Sequence, residues 1–243
     1  MKQTALTRPQ FFFTTAPLPC PYLPERLERK IVTELTGQNS ENLHGTLATG
    51  GFRRSHSIAY APACPGCQAC VPVRVQVNGF ILRRSLARTW RRNAGVTAHV
   101  VQARATTEQF ELFNEYQHSR HPNSDMANMG FYEYSAMVED SPINTYLVEY
   151  RTACGELIAV CLTDQTQDGL SAVYSFFSTK PDHTGLGNFV VLWLIERART
   201  LALAYVYLGY WIAESPKMAY KSRFKPLEAL GPDGWTILQI DQD

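Results

Sequence analysis

Leu170-Ser-Ala-Val-Tyr-Ser-Phe-Phe177, the glycine turn Gly185-Leu-Gly187, an apolar run from Leu186 to about Leu203, and Tyr205-Val-Tyr-Leu-Gly-Tyr-Trp-Ile212 follow one another in the second half of the chain. The first and last blocks are rich in β-branched and aromatic residues, and the run between them is long enough for a helix. Strand, helix, strand in that order predicts a crossover onto one sheet. Working outward, Tyr146–Arg151 and Leu157–Thr163 are strand candidates that join Leu170–Phe177 through turns at Cys154-Gly155 and Asp168-Gly169. Three strands linked by short turns predict an antiparallel meander. The fold class is therefore α+β, with meander and crossover together in a C-terminal lobe.

Upstream, Thr106 with Gln109 reads as a capping box opening a helix that runs through Phe110, Phe113 and Tyr116 toward His118. Val71-Pro-Val-Arg-Val-Gln-Val77 alternates like a strand, and its proline suits an edge or a strand start. Val96–Val101 is a further strand candidate, and residues 44–62 read as turns and short strands. Leu23, Leu27, Ile31 and Leu35 recur every four residues, which predicts a helix near 24–36.

With 45% hydrophobic residues in 243, the chain can bury one large core or two small ones, which excludes a disordered or fibrous protein. No segment has the roughly 18 uninterrupted apolar residues of a membrane span, and no charged start leads into an apolar run, so no membrane partner and a cytoplasmic location are expected. The net charge of +1 conceals an asymmetry: residues 1–104 carry 14 Lys+Arg against 4 Asp+Glu, and residues 105–243 carry 9 against 18. We expect a basic N-terminal lobe over 1–104 and an acidic C-terminal lobe over 105–243. A basic half attracts a polyphosphate chain, although two opposite halves that simply attract each other would look the same. Arg83, Arg84, Arg88, Arg91 and Arg92, with Trp90 among them, form the densest basic segment. Either RNA contact or a solvated helix face gives this pattern.

Four groups of residues could carry chemistry. The strand, glycine turn and helix at 170–203 have the layout with which CoA-dependent N-acetyltransferases present backbone N–H groups to a pyrophosphate, but Asp182 stands in the turn and would repel phosphates. Cys64, Cys67 and Cys70 lie at three-residue spacing with Cys20 available as a fourth, which suits zinc or an iron–sulfur cluster, or else packed or redox-sensitive thiols. Arg53 and Arg54 follow Gly50-Gly51 and offer paired planar forks for a carboxylate or phosphate. Finally, Lys217, Tyr220, Lys221 and Arg223 are spaced to share a helix face on which a tRNA 3′ end could stack and be neutralised.

Taken together, Cys20-Pro-Tyr-Leu-Pro, Gly51-Phe-Arg-Arg-Ser55, Tyr60-x-Pro-x-Cys64-x-x-Cys67-x-x-Cys70-Val-Pro-Val-Arg-Val75, Tyr205-Val-Tyr-Leu-Gly-Tyr-Trp-Ile and Lys217-Met-x-Tyr-Lys221 resemble the arginyl-tRNA–protein transferase family, specifically its short bacterial branch. The resemblance runs over nearly the whole chain. It implies two lobes related to the N-acetyltransferase fold and an aspartate/glutamate leucyltransferase activity. Such an enzyme moves Leu from an aminoacyl-tRNA to acceptor proteins with N-terminal Asp or Glu and so marks them for degradation as N-degrons. No cofactor is required by that chemistry. In larger relatives cysteine pairs look like iron–sulfur ligands; here Cys20 matches one ligand and Leu23 stands where its partner would be.

On this reading Arg53, Arg54 and Arg74 recognise the acidic acceptor, Lys217, Lys221 and Arg223 contact tRNA, and Tyr207 and Tyr210 guide the reacting groups. An arginyl donor, a CoA-dependent N-acetyltransferase and a non-enzymatic metal-thiolate sensor are the alternatives.

Overall fold

The computed structural model describes residues 9–239. Its first part is built from short strands: β1 (Phe13–Thr14), β2 (Leu18–Pro19), β3 (Leu27–Glu28) and β4 (Lys30–Glu34), then helix α1 (Ser40–Thr49), then β5 (Arg53–Ser55) and β6 (Ile58–Pro62). The helix expected near 24–36 is not formed. Four residues is two full periods of a strand as well as about one turn of a helix, so the Leu23-Leu27-Ile31-Leu35 spacing fits either. Pairing decides it: β4 ladders antiparallel with β6 from Lys30↔Pro62 to Glu34↔Ile58. The small sheet runs β1-β4-β6-β5, while β2 and β3 pair separately. Leu35, Ala59 and Leu47 fuse it to α1, a helix that the expected turns and strands of 44–62 did not include.

The rest of the chain contributes β7 (Val71–Gln76), α2 (Arg84–Arg92), β8 (Thr97–Gln102), α3 (Thr107–Arg120), α4 (Phe131–Glu139), β9 (Thr145–Arg151), β10 (Leu157–Gln165), β11 (Gly169–Phe177), α5 (Leu186–Thr200), β12 (Tyr205–Trp211), β13 (Leu227–Gly231) and β14 (Gly234–Ile237). The eight strands form one sheet in the order β14-β13-β7-β12-β11-β10-β9-β8. β9, β10 and β11 are the expected meander. β11 and β12 pair in parallel through α5, the expected crossover. The α+β class is thus directly visible.

Helices cover both faces. Phe189, Leu192 and Ile195 of α5 and Leu86 of α2 pack on Val75, Cys161 and Val206, while Leu112 and Phe113 of α3 and Tyr134 and Val138 of α4 pack on Val160, Leu162 and Phe176. Thr106 caps α3 as its sequence predicts: its hydroxyl accepts from Gln109 N at 3.3 Å, and Gln109 Oε1 accepts from Thr106 N at 3.1 Å.

The charge shift at 104 does not coincide with a break in the sheet. β7 precedes it yet lies between β12 and β13, and β8 forms the edge beside β9. Charge is a property of the surface, whereas strand order is set by which edges can pair. Nor is β7 an edge strand: Pro72 is accommodated at its start, beside Tyr210 of β12.

Candidate active site

β11 and β12 pair only from Gly169↔Tyr205 to Ser171↔Tyr207. Beyond that point the β10–β11 register shifts between Leu162 and Thr163, and the β12–β7 register shifts between Tyr207 and Gly209. Bulges on neighbouring strands re-aim the backbone and end the pairing. Arg53 of β5 reaches in, and its Nη2 donates to the carbonyls of Ala172 and Val173 at 3.1 and 2.6 Å. Its guanidinium lies against Gly209, whose φ is +73°; a Cβ there would fall 1.3 Å from Arg53 Nη1. Glycine is therefore required at 209 twice over, by backbone conformation and by space. No carboxylate among the described residues pairs with Arg53. With Nη2 engaged, the Nε and Nη1 hydrogens have no partner among the described residues.

A second cation lies nearby. Past β12 the chain makes a short 3₁₀ turn, Ala219–Arg223, and Lys221 on it is only 5% exposed. Its Nζ donates to the Tyr210 carbonyl and meets no carboxylate among the described residues. Burial, reinforced by the nearby Arg53 charge, brings its pKa down to about 7. The Tyr210 hydroxyl lies 3.1 Å from the carbonyls of both Gly51 and Tyr60, and the Tyr60 and Tyr210 rings are 6.4 Å apart. Tyr22, near enough to Arg53, Tyr60 and Cys70 to feel their charges, is 39% exposed. The result is an aromatic region holding a guanidinium and an amine with no partnering acid among the described residues.

The structure thus brings Arg53, Tyr210 and Lys221 together and places the other expected residues elsewhere. Arg54 points away from its neighbour: its Nε and Nη2 hold both oxygens of the buried Asp164 at 2.8 Å each. Arg74 donates to Glu228 at 2.7 Å and to the Tyr207 hydroxyl at 3.2 Å, with its guanidinium carbon 3.5 Å from the Tyr205 ring centroid and 4.2 Å from that of Trp235. Two of the three forks expected to read an acceptor carboxylate, Arg54 and Arg74, are thus filled from within. Tyr207 in turn donates to Asp168 at 2.8 Å, and burial pushes its phenol up to about 12. The hydroxyl hydrogens of Tyr207 and Tyr210 are thus both given to partners within the protein. Lys221 is buried, whereas Lys217 and Arg223 are exposed, because residues 219–223 form a 3₁₀ turn rather than the helix whose face they were expected to share.

Cys20, Cys64 and Cys67 lie close enough to add their charge to the burial that raises the Cys70 thiol to about 11. Yet no three thiols, imidazoles or carboxylates among the described residues converge as metal ligands would. Instead Cys67 Sγ takes the Arg26 Nη1 hydrogen at 3.2 Å, and Cys64 Sγ takes the Arg29 backbone N–H at 3.3 Å. Leu23, where the missing ligand would stand, is buried.

The arginine-rich segment is helix α2, and Arg83, Arg84, Arg88, Arg91 and Arg92 are all exposed without a carboxylate partner among the described residues. Asn93 Nδ2 donates to the Thr184 carbonyl at 3.3 Å, and Arg92 Nη1 donates to the Thr184 hydroxyl at 2.7 Å. α2 is thereby docked on the turn that opens α5.

Two family models cover the chain: arginine-tRNA-protein transferase, N terminus, matches residues 18–94, and arginine-tRNA-protein transferase, C terminus, matches residues 108–231. The chain belongs to this transferase family. Among its relatives, proteins named aspartate/glutamate leucyltransferase from Paramagnetospirillum magneticum and Rhodospirillum rubrum are each 60% identical, over 97% of this chain and 96% of theirs. One from Gluconacetobacter diazotrophicus is 53% identical over 100% of this chain and 93% of its own. Solved structures overlap more loosely. L-PGS from Bacillus licheniformis gives a TM-score of 0.49 at 14% identity, over 60% of this chain and 48% of that one. FemX gives 0.42 at 11%, over 74% and 62%. Overlaps of that size say nothing of what this transferase does.

Proposed function

We propose that this family member moves leucine from leucyl-tRNA to the α-amine of proteins that begin with Asp or Glu. The observation that carries the reading is Arg53, held at the parting of β11 and β12 with Nε and Nη1 unassigned and no acid partner. A side-chain carboxylate next to the reacting amine suits such a fork. The same surroundings favour a leucyl over an arginyl donor, because the Arg53 guanidinium, without a partnering acid among the described residues, would repel a second one. The names of the closely similar relatives point the same way.

The chemistry asks little of the protein. The donor is an activated ester, and an N-terminal amine with pKa about 7.7–8.0 is roughly one-tenth uncharged at pH 7. What remains is to orient amine and carbonyl, stabilise the oxyanion and handle one proton. No metal enters this scheme. The exposed arginines of α2, with Lys217 and Arg223, supply phosphate contacts for the tRNA, whose use as donor places the reaction in the cytoplasm. No helix among the described residues is long and apolar enough to cross a membrane. The product, a protein beginning with leucine, is then a substrate for degradation.

Labelled leucyl-tRNA and arginyl-tRNA, offered in parallel to peptides beginning with Asp, Glu, Ala or Lys, test this. Leucine should appear on the Asp and Glu peptides alone. Equal labelling of the Ala peptide, or preference for the arginyl donor, would overturn the reading; acetylation by acetyl-CoA in the same assay would replace it.

A further inference from the structure

Lys221 is a buried amine with one hydrogen-bond partner among the described residues. Its backbone is fixed at both ends of its turn, Lys221 N donating to Met218 O and Phe224 N donating to Lys221 O, each at 3.2 Å. Its Nζ is bonded to the Tyr210 carbonyl. That carbonyl belongs to the same residue whose hydroxyl is tied to Gly51, two positions before Arg53, so the turn and the arginine are referred to one frame. The charged and titratable groups facing the amine are Arg53 from β5 and Cys70 from the segment ahead of β7; neither is an acid that would hold an ammonium ion in place.

A purely structural role does not account for this choice of side chain. One bond to one carbonyl can be made by a neutral amide or hydroxyl, without the cost of bringing an amine out of water. Nor does contact with tRNA phosphates, since the amine is shut off from the surface that Lys217 and Arg223 reach. An amine next to a guanidinium and away from carboxylates gives up its proton readily near neutral pH, leaving a lone pair and an N–H beyond the one given to Tyr210. An amine poised in this way is suited to proton transfer near neutral pH.

We propose that Lys221 is the proton carrier of the transfer step: its uncharged amine takes a proton from the attacking α-amine and passes it to the departing ribose oxygen. The acceptor attacks as a neutral amine, forming the N–C bond while the carbonyl electron pair moves onto oxygen. Nitrogen then loses one proton to Lys221 Nζ. As the carbonyl reforms, the ester C–O bond breaks, and the ribose oxygen leaves with the proton from Nζ. Lys221 ends as it began, and no other reactant is consumed.

The inference rests on the aminoacyl-transfer reading above, and the experiment separates the two. With leucyl-tRNA saturating and the concentration of an Asp-initiated peptide varied, transfer rates are measured from pH 6 to 9 for the unaltered protein, Lys221→Met and Lys221→Arg, with folding followed by circular dichroism. If the unaltered protein transfers nothing, the transfer reading fails. If it transfers, both variants should lose about a hundredfold or more in kcat, within the range of acid–base catalysis, with little change in KM. They should also lose the limb near pH 7 and keep only that of the acceptor amine. Lys221→Arg keeps a donor for the Tyr210 carbonyl but cannot give up its proton, so it distinguishes proton transfer from packing should Lys221→Met fold poorly. Either folded variant working within threefold of the unaltered protein, or changing KM alone, would overturn the proposal.

Discussion

Arg54 on β5 and Asp164 on β10 meet in a two-armed ion pair, 2.8 Å on each arm, with both side chains closed off from solvent. The pair joins the small sheet to the large one. Thr145 adds a hydrogen bond to the same carboxylate at 2.7 Å, so removing one charge strands the other in a dry site. Arg54→Met or Asp164→Ala should therefore cost about 3–5 kcal/mol of stability in urea unfolding. The double variant Arg54→Met/Asp164→Leu should recover much of it. Single variants within 1 kcal/mol of the unaltered protein would contradict this.

His44 lies 3.7 Å from the same carboxylate and is buried. Burial holds its pKa below the ordinary 6.5, with Arg54 adding to the effect and Asp164 opposing it. The unfolded chain therefore takes up a proton that the folded one resists. This contribution to stability is complete above pH 6.5 and is lost as pH falls through the lower folded value. Unfolding free energies between pH 5 and 7.5 should depend less on pH in His44→Leu; equal slopes would refute the assignment.

Lys221 has the same sign of pH dependence as His44, but its window lies above neutral pH. Its folded pKa, about 7, is below the ordinary 10.5, so the unfolded chain holds more protons between those values. The penalty is complete below pH 7 and fades toward 10.5. Lys221→Met should accordingly raise stability near pH 7, on the order of a few kcal/mol, with the advantage over the unaltered protein shrinking toward pH 10. Melting curves across that range check the sign.

Gly209→Ala should displace Arg53 from its place between the strands. The positive φ alone should cost about 1 kcal/mol or more, and the guanidinium has no room beside a methyl group. The expected result in the transfer assay is a fall in the preference for Asp over Ala at the acceptor's first position. An unchanged preference would show that Arg53 does not read the acceptor.

The exposed α2 arginines should set the salt dependence of tRNA binding. Replacing Arg88 and Arg91 with alanine should flatten the plot of log affinity against log salt by about 0.7–0.9 for each phosphate no longer neutralised. Filter binding across a salt series measures this, and parallel plots would exclude those two side chains from the interface.

What the sequence reveals and what it hides follow the range of the interactions. The meander and α5 are legible because local turns and apolar periods determine them, and capping of α3 because Thr106 and Gln109 are three residues apart. Arg54, beside Arg53, and Arg74 are legible as candidate forks but not as occupied ones, since their acids lie 110 and 154 residues along the chain. The 24–36 segment misleads for a different reason. Its apolar spacing satisfies two periods, and only the distant β6 chooses between them. Lys221 is hidden because a basic run does not reveal which of its members turns inward.

β7 carries a consequence for how the molecule is made. Arg74 at its middle meets Tyr207 and Glu228, which follow it by 133 and 154 residues. On a ribosome, Val71–Gln76 emerges with both edges bare and stays so until nearly all the described chain has been synthesised. A valine-rich ribbon of this kind is open to pairing with other nascent chains. Slower translation of the segment between β11 and β13 should lengthen that exposure, so yield of soluble protein should depend on elongation speed there and on chaperones that shield unpaired strands.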